Sequence, residues 1–474
     1  MTETALRDPN VAAGQRAALD DPSRPVLIRQ AHLITMDDQL GDLQGDVLVR
    51  DGRIAAVGHD LACEGALVID GTDKVVIPGF VNSHIHLWQT VIKGCAGDYS
   101  FGDYLQYILG EAGKHYTPED VRVSTLLGAI EQLDAGVTTV YDWAHIMNTP
   151  DHADAAIDAL QASGIRAVFG HGTPGDDLAR WYYQSRDGHP DDIVRIRKTR
   201  LSSDDALVTL GLSMRGPDFA ADAVNAADIC LARSLGVMAS MHLAVGMYGD
   251  YTPHARALGD AGLLGPDINL VHCNRLLDDE IAMALDRGCS FSVTPEVEMQ
   301  MGHGLPVTGR VQAAGGRVTL GTDVVCSVSA DMFSQMRFAV QSQRMLANAR
   351  AHEGGGMLEH LPIGARDALI SATRQGAKAL GLDARIGSIT PGKDADLTVV
   401  SWAHEQSSPL VNPVQAVVFH ASIANVHTVM VKGRARKFDH RAVGAAPSNV
   451  SGAAEMGRRV MAAAGIVPRR ADAA

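Results

Sequence analysis

The sequence predicts an α/β protein, a (β/α)8 barrel of the TIM type joined to a small β-sandwich domain formed by both chain ends. Three observations lead there. Apolar, β-branched runs alternate with stretches of helical spacing through the middle of the chain, giving eight strand and helix units. The two ends share another texture, short strands punctuated by Gly and Asp. Histidines and an aspartate stand where several of the middle runs turn polar, the end at which such barrels gather their active sites.

Residues 1–24 are polar and Pro-containing and read as a loosely held arm. VLIRQAHLITMD, GDVLVRDGRIAAVG and GALVIDGTDKVVIPG follow as short β-rich runs, and DADLTVVSW, VQAVVFH and VHTVMVKGRARK repeat the pattern near the other end. Segments 25–77 and 385–440 are therefore expected to form one composite β-domain, with the barrel over 78–384 and a tail over 441–474. Within the barrel, the strand carrying His84 is followed by GVTTVYDW, GIRAVFGH, ALVTLGLSM, GVMASMHLA, INLVHC, CSFSVTP and RVTLGTD. Helical spacing marks DHADAAIDALQAS, DFAADAVNAADICLARSL and DDEIAMALDRG between them. A doubly wound sheet is the competing arrangement, but it has no need of eight similar units.

Composition narrows the function. The chain has 474 residues, 46% of them hydrophobic and 20% charged, as in an ordinary globular protein. A net charge of −14 without a strong basic patch argues against nucleic acid as a partner. No run of about 18 apolar residues suggests a membrane span, and MTETALRDPN lacks the regions of a secretory signal. Six scattered cysteines form no C-x-x-C pair, which favours free thiols and a cytoplasmic setting.

In PGFVNSHIHLWQT two histidines are separated by one residue. Alternate residues of a strand share a face, so His84 and His86 can converge on one cation. The dipeptide alone is equally compatible with a solvated polar face. A lone strand-end histidine is more often a hydrogen-bonded structural residue, and an Asp after Gly-Thr more often a turn or cap. Their recurrence decides the matter: His242 ends the fifth run, His272 the sixth and Asp323 the eighth. Four histidines and one aspartate at one end of four strands favour a metal site.

PGFVNSHIH, GVTTVYD, VHC, LGTD, ATRQGAKALGL and IGSITPGKDADL resemble the metal-dependent amidohydrolase superfamily, in its branch of guanine-, cytosine- and adenosine-type deaminases and triazine hydrolases. The similarity runs in register from about residue 25 to residue 435. It implies one divalent metal held by His84, His86, His242 and Asp323, usually Zn2+, with Fe2+ or Mn2+ as alternatives. It also implies that His272 lies beside the metal-bound water. Two-metal relatives carry a carboxylated lysine after strand four, where this chain has ALVTLGLSMRG, so one ion is expected. The implied reaction is displacement of ammonia or an amine from a small nitrogen heterocycle by activated water. Asp323 would accept the water's proton and His272 would stabilise the oxyanion or the leaving group. A homo-oligomer, often a dimer, is implied as well.

One motif departs from the pattern. Deaminases of this branch read H-x-x-E after strand five, and here the fourth residue is Val245. A valine transfers no proton, which leaves C–Cl, thioether or amide bonds, or a decarboxylase-type lyase, as rival substrates and reactions. A barrel serving only as an assembly subunit is the rival outside enzymes. Glu298, in SVTPEVEMQMGHG, is the best substitute acid. A solvated loop carboxylate is its plainer reading, and Glu296 shares its face if the strand continues. Trp88, Gln89, His145, Arg215 and His303 are the candidate substrate contacts. A surface ion pair is the alternative for Arg215, and Cys326 reads as a small buried residue. GHGTPG matches G-x-G-x-x-G but has Pro174 where a dinucleotide-binding helix would begin.

Overall fold

A computed structural model of the protein describes Leu19 and residues 24–246, 254–403, 408–443 and 450–466. Its centre is an eight-stranded parallel barrel. The strands are β1 (Phe80–Ile85), β2 (Val137–Ala144), β3 (Arg166–His171), β4 (Val208–Met214), β5 (Ala239–Leu243), β6 (Ile268–His272), β7 (Ser290–Val293) and β8 (Thr319–Leu320). Each neighbours the next in chain order. β1, β2 and β3 are buried at every residue, as expected of strands covered on both faces, and this is why they read as continuous apolar runs. The ring closes beyond β8, where Ile85 bridges Asp323. There the Asp323 amide donates to the His84 carbonyl at 3.0 Å, and the His86 amide donates to the Asp323 carbonyl at 3.1 Å.

Local chemistry sets the crossover helices. Pro118–Asp134 starts with a Thr117–Asp120 capping box and Pro118 in its first turn. Pro150–Ser163 and Asp222–Leu235 stop at Gly164 and Gly236, whose φ values of 71° and 66° suit a residue without a side chain.

The chain ends meet in one nine-stranded sheet. Leu397–Ser401 pairs antiparallel with Lys74–Pro78, Val399 opposite Val76, which joins the late strands to the early ones. Ile28, Val47, Ile69, Val76, Leu397 and Met430 belong to a core separate from that of the barrel. Arg166, at the start of β3, fastens the sheet to the barrel. Its Nε donates to Asp396 Oδ2 and its Nη2 to Asp394 Oδ2, both at 2.8 Å and all buried.

Two expectations change. VQAVVFH is not a strand: Pro413–Phe419 is a helix, because Asn412 accepts from the Gln415 amide and Pro413 supplies a preset first turn. The expected tail contains the helix Val450–Ala463, which packs on the Leu87–Ile92 turn and on Pro118–Asp134. The approach is close enough that a Cβ on Gly457 would lie 2.0 Å from the Val91 carbonyl oxygen. Most of the expected arm, residues 1–24, lies outside the described residues; Leu19 is buried in the sheet's core.

Candidate active site

Four strand ends bring their polar side chains together. His84 Nε2 lies 3.2 Å and His86 Nε2 3.1 Å from Asp323 Oδ1. His242 Nε2 lies 3.3 Å from His84 Nε2. His272 Nε2 approaches from the far side, 3.7 Å from Asp323 Oδ2. The backbone helps aim them: His272 and Asp323 adopt φ of 69° and 60°, an uncommon conformation for side-chain-bearing residues that recurs at functional sites.

The donor set fits a divalent cation. Two imidazole nitrogens facing each other at 3.3 Å beside a carboxylate oxygen present converging lone pairs. The His86 Nδ1–H donates to the Trp143 carbonyl at 2.7 Å, which leaves Nε2 as the free ligand atom. Burial lowers His84 to about 3 and His272 to about 4, so both rings are neutral, the form that ligates metal. Burial opposes charge on Asp323, yet the His84 and His86 rings against its Oδ1 hold its carboxyl well below the usual carboxylate range.

Behind His272 stands Glu298. Its Oε1 lies 3.3 Å from His272 Nδ1 and accepts from the Thr294 amide at 2.8 Å, while Oε2 accepts from Asn274 Nδ2 at 3.2 Å. Burial pushes its carboxyl up to about 7. Glu298 is not part of the cavity wall, so it reaches the cavity through His272. Glu296 does not share its face, because β7 ends at Val293 and Pro295 starts a helix over Pro295–Gln300. The Glu296 carboxylate accepts from Gln335 instead, at 2.8 Å.

A cavity opens over these side chains. His86, His145, His242, His272, His303 and Asp323 line it. His145 accepts from Trp88 Nε1 at 3.4 Å, and His303 is buried with neither ring nitrogen hydrogen-bonded among the described residues. Trp88, Gln89 and Arg215 lie outside the wall. Trp88 backs His145, and Gln89 Nε2 donates to the Tyr104 hydroxyl at 2.8 Å. Arg215 turns away because Ser185 Oγ and the Asp187 carbonyl, each at 2.6 Å, take its guanidinium, with Asp228 at 3.5 Å. Cys326 is buried, as expected, its thiol 3.1 Å from Gln89 Oε1.

Sequence reasoning missed about half of the wall: Phe101, Tyr104, Leu105, Leu109, Tyr182, Phe219, Met301 and Val324. They sit in connecting segments, where no periodicity marks them. A larger groove beside Leu43, Arg366 and Val411 lies away from the strand ends, and its Arg366 is already paired with Asp42.

A barrel that gathers three imidazoles and a carboxylate at its strand ends, beneath a cavity, is that of a metal-dependent hydrolase. Residues 75–436 match the amidohydrolase family, and the chain belongs to that family. The 5'-deoxyadenosine deaminase of Methanothermobacter thermautotrophicus is 30% identical over 408 residues, covering 84% of this chain and 90% of that protein. A 5-methylthioadenosine/S-adenosylhomocysteine deaminase of Acetivibrio thermocellus is 28% identical over 427 residues, covering 86% and 93%. The crystal structure of an adenosine deaminase from Xanthomonas campestris with bound zinc superposes with a TM-score of 0.79 at 25% identity, covering 92% and 98%. The protein is a hydrolase of carbon–nitrogen bonds other than peptide bonds, of the deaminase type.

Proposed function

We propose that this enzyme deaminates an aminopurine-like heterocycle, with zinc held by His84, His86, His242 and Asp323. The observation that carries the reading is the convergence of these four side chains beneath the cavity. The names of the relatives support the ring class, and the zinc bound to the Xanthomonas enzyme supports the ion. The six free cysteines support a cytoplasmic setting.

When bound, the ion would supply a Lewis acid that lowers the pKa of a coordinated water toward about 7. The chain's own groups manage the protons. Asp323 Oδ2 accepts the water's proton as oxygen attacks the ring carbon bearing the amino group. His272, 3.7 Å from that oxygen, carries a proton on to the departing amine, so the carbon–nitrogen bond breaks and ammonia leaves. Glu298 holds His272 by its other nitrogen, and a buried carboxyl pushed up to about 7 suits a proton reservoir. His145 and His303 orient the ring.

The test is ammonia release by zinc-loaded protein across a panel of adenosine derivatives and other heterocyclic amines, with Asp323→Ala as the control. Turnover of at least one member, lost in the variant, is expected. Silence across the panel, or full activity in Asp323→Ala, would reject the reading.

A further inference from the structure

We infer that the cavity selects a neutral, flat aminoheterocycle whose substituent is apolar, such as a short N-alkyl group, over the same ring bearing a sugar. This rests on the deaminase reading of the site and names the substrate class within it. The wall is mostly hydrocarbon, drawn from four separate segments: Phe101, Leu105 and Leu109 after β1, Phe219 after β4, Val245 after β5 and Met301 after β7, with Tyr104 and Tyr182 among them. All but Phe101 are buried, so a substituent lying against them leaves water.

The polar atoms of the lining belong to the histidines, Asp323 and the two tyrosine hydroxyls, with the His303 ring 4.7 Å from that of Phe101. The His145 ring lies 4.2 Å from that of His86, and the His303 ring 4.9 Å from that of His272. His303, with two open nitrogens, offers a partner to a heterocycle nitrogen. Among the described lining residues Asp323 alone is an acid, and none is Lys or Arg. Asp323 already faces His84, His86 and His272, and Arg215, the nearest cation expected from the sequence, is spent on Ser185 and Asp187.

Physical chemistry then ranks substituents. A sugar brings three hydroxyls to a wall that offers those of Tyr104, already accepting from Gln89, and Tyr182; each one left pressed against hydrocarbon gives up its hydrogen bonds to water, lowering affinity about tenfold. Each methylene buried there raises it about fourfold. Only the appendage differs when one ring is compared with itself, so the ratio reads the wall.

Isothermal titration of zinc-loaded protein with 9-ethyladenine, 5'-deoxyadenosine and adenosine tests this directly. The expected order is 9-ethyladenine tightest, by about a hundredfold over adenosine, with 5'-deoxyadenosine between. Equal or tighter binding of adenosine overturns the inference, and so does absence of binding by all three. Ammonia release is assayed on the same samples: the expected binding order without any ammonia would reject the deaminase reading and leave the wall's selectivity standing. Leu105→Asn, which sets an amide into the wall, should narrow the ratio to about tenfold. An unchanged ratio in folded variant overturns the assignment, and should the variant fail to fold, the unsubstituted protein's ratio still decides.

Discussion

His242 Nε2 lies 3.3 Å from His84 Nε2, across 158 residues of chain. Two neutral imidazoles, one buried and one half-buried, repel lone pair to lone pair unless a proton or a cation stands between them, and Asp323 Oδ1 at 3.2 Å from His84 adds the negative charge a cation needs. Replacing His242 by Ala removes one of the four proposed ligands. Zinc content by elemental analysis should fall from about one equivalent to a small fraction after dialysis against a weak chelator, with secondary structure intact by circular dichroism. Retention of a full equivalent would show that the ion, if any, sits elsewhere.

Glu298 acts on the cavity only through His272, so its loss should look different. In Glu298→Gln, the new amide must aim its N–H groups at either the Thr294 amide or Asn274 Nδ2, both of which are donors. Either way one of the bonds that fix the side chain behind His272 is lost. Such outer partners are worth about 10–100-fold, so kcat should drop by that factor while bound zinc is unchanged. An unaltered kcat would remove Glu298 from the reaction.

These residues show how far the chain could be read. Parallel barrel strands are buried on both faces, so β1 through β7 announced themselves as continuous apolar runs, and His84, His86, His242, His272 and Asp323 stood out where the runs turned polar. Orientation was another matter. Trp88 and Gln89 follow the metal motif directly, yet the tight turn over Leu87–Ile92 points them behind the wall. Arg215 follows β4 as a substrate-binding residue would, but the segment around Ser185 reaches back to claim it, a contact that depends on tertiary folding. VQAVVFH is short enough to suit strand or helix, and only the Asn412–Pro413 start distinguishes them.

Arg166 supplies a stability prediction. It is buried, and so are Asp394 and Asp396, the carboxylates it joins from the other domain. Arg166→Met leaves two buried negative charges without their main partner, a loss of about 3–5 kcal/mol. Denaturant unfolding should show that loss, and adding Asp394→Asn and Asp396→Asn should recover much of it. If Arg166→Met alone costs under about 1 kcal/mol, the pair contributes little to joining sheet and barrel.

Glu296 should shape the pH dependence of stability. Burial, reinforced by the nearby Asp331 charge, pushes its carboxyl from 4.5 up to about 7. Below about pH 4.5 the group is protonated whether the chain is folded or not. Between there and about 7 the folded protein keeps the proton while the unfolded chain releases it, so stability declines as pH rises through this window. Glutamine is the neutral isostere and has nothing to lose. The Tm of Glu296→Gln should therefore exceed that of the unsubstituted protein by a larger margin at pH 8 than at pH 5. Parallel Tm curves for the two proteins would mean that Glu296 is ionised in the fold at the lower pH, its burial offset by Gln335, whose amide lies 2.8 Å away.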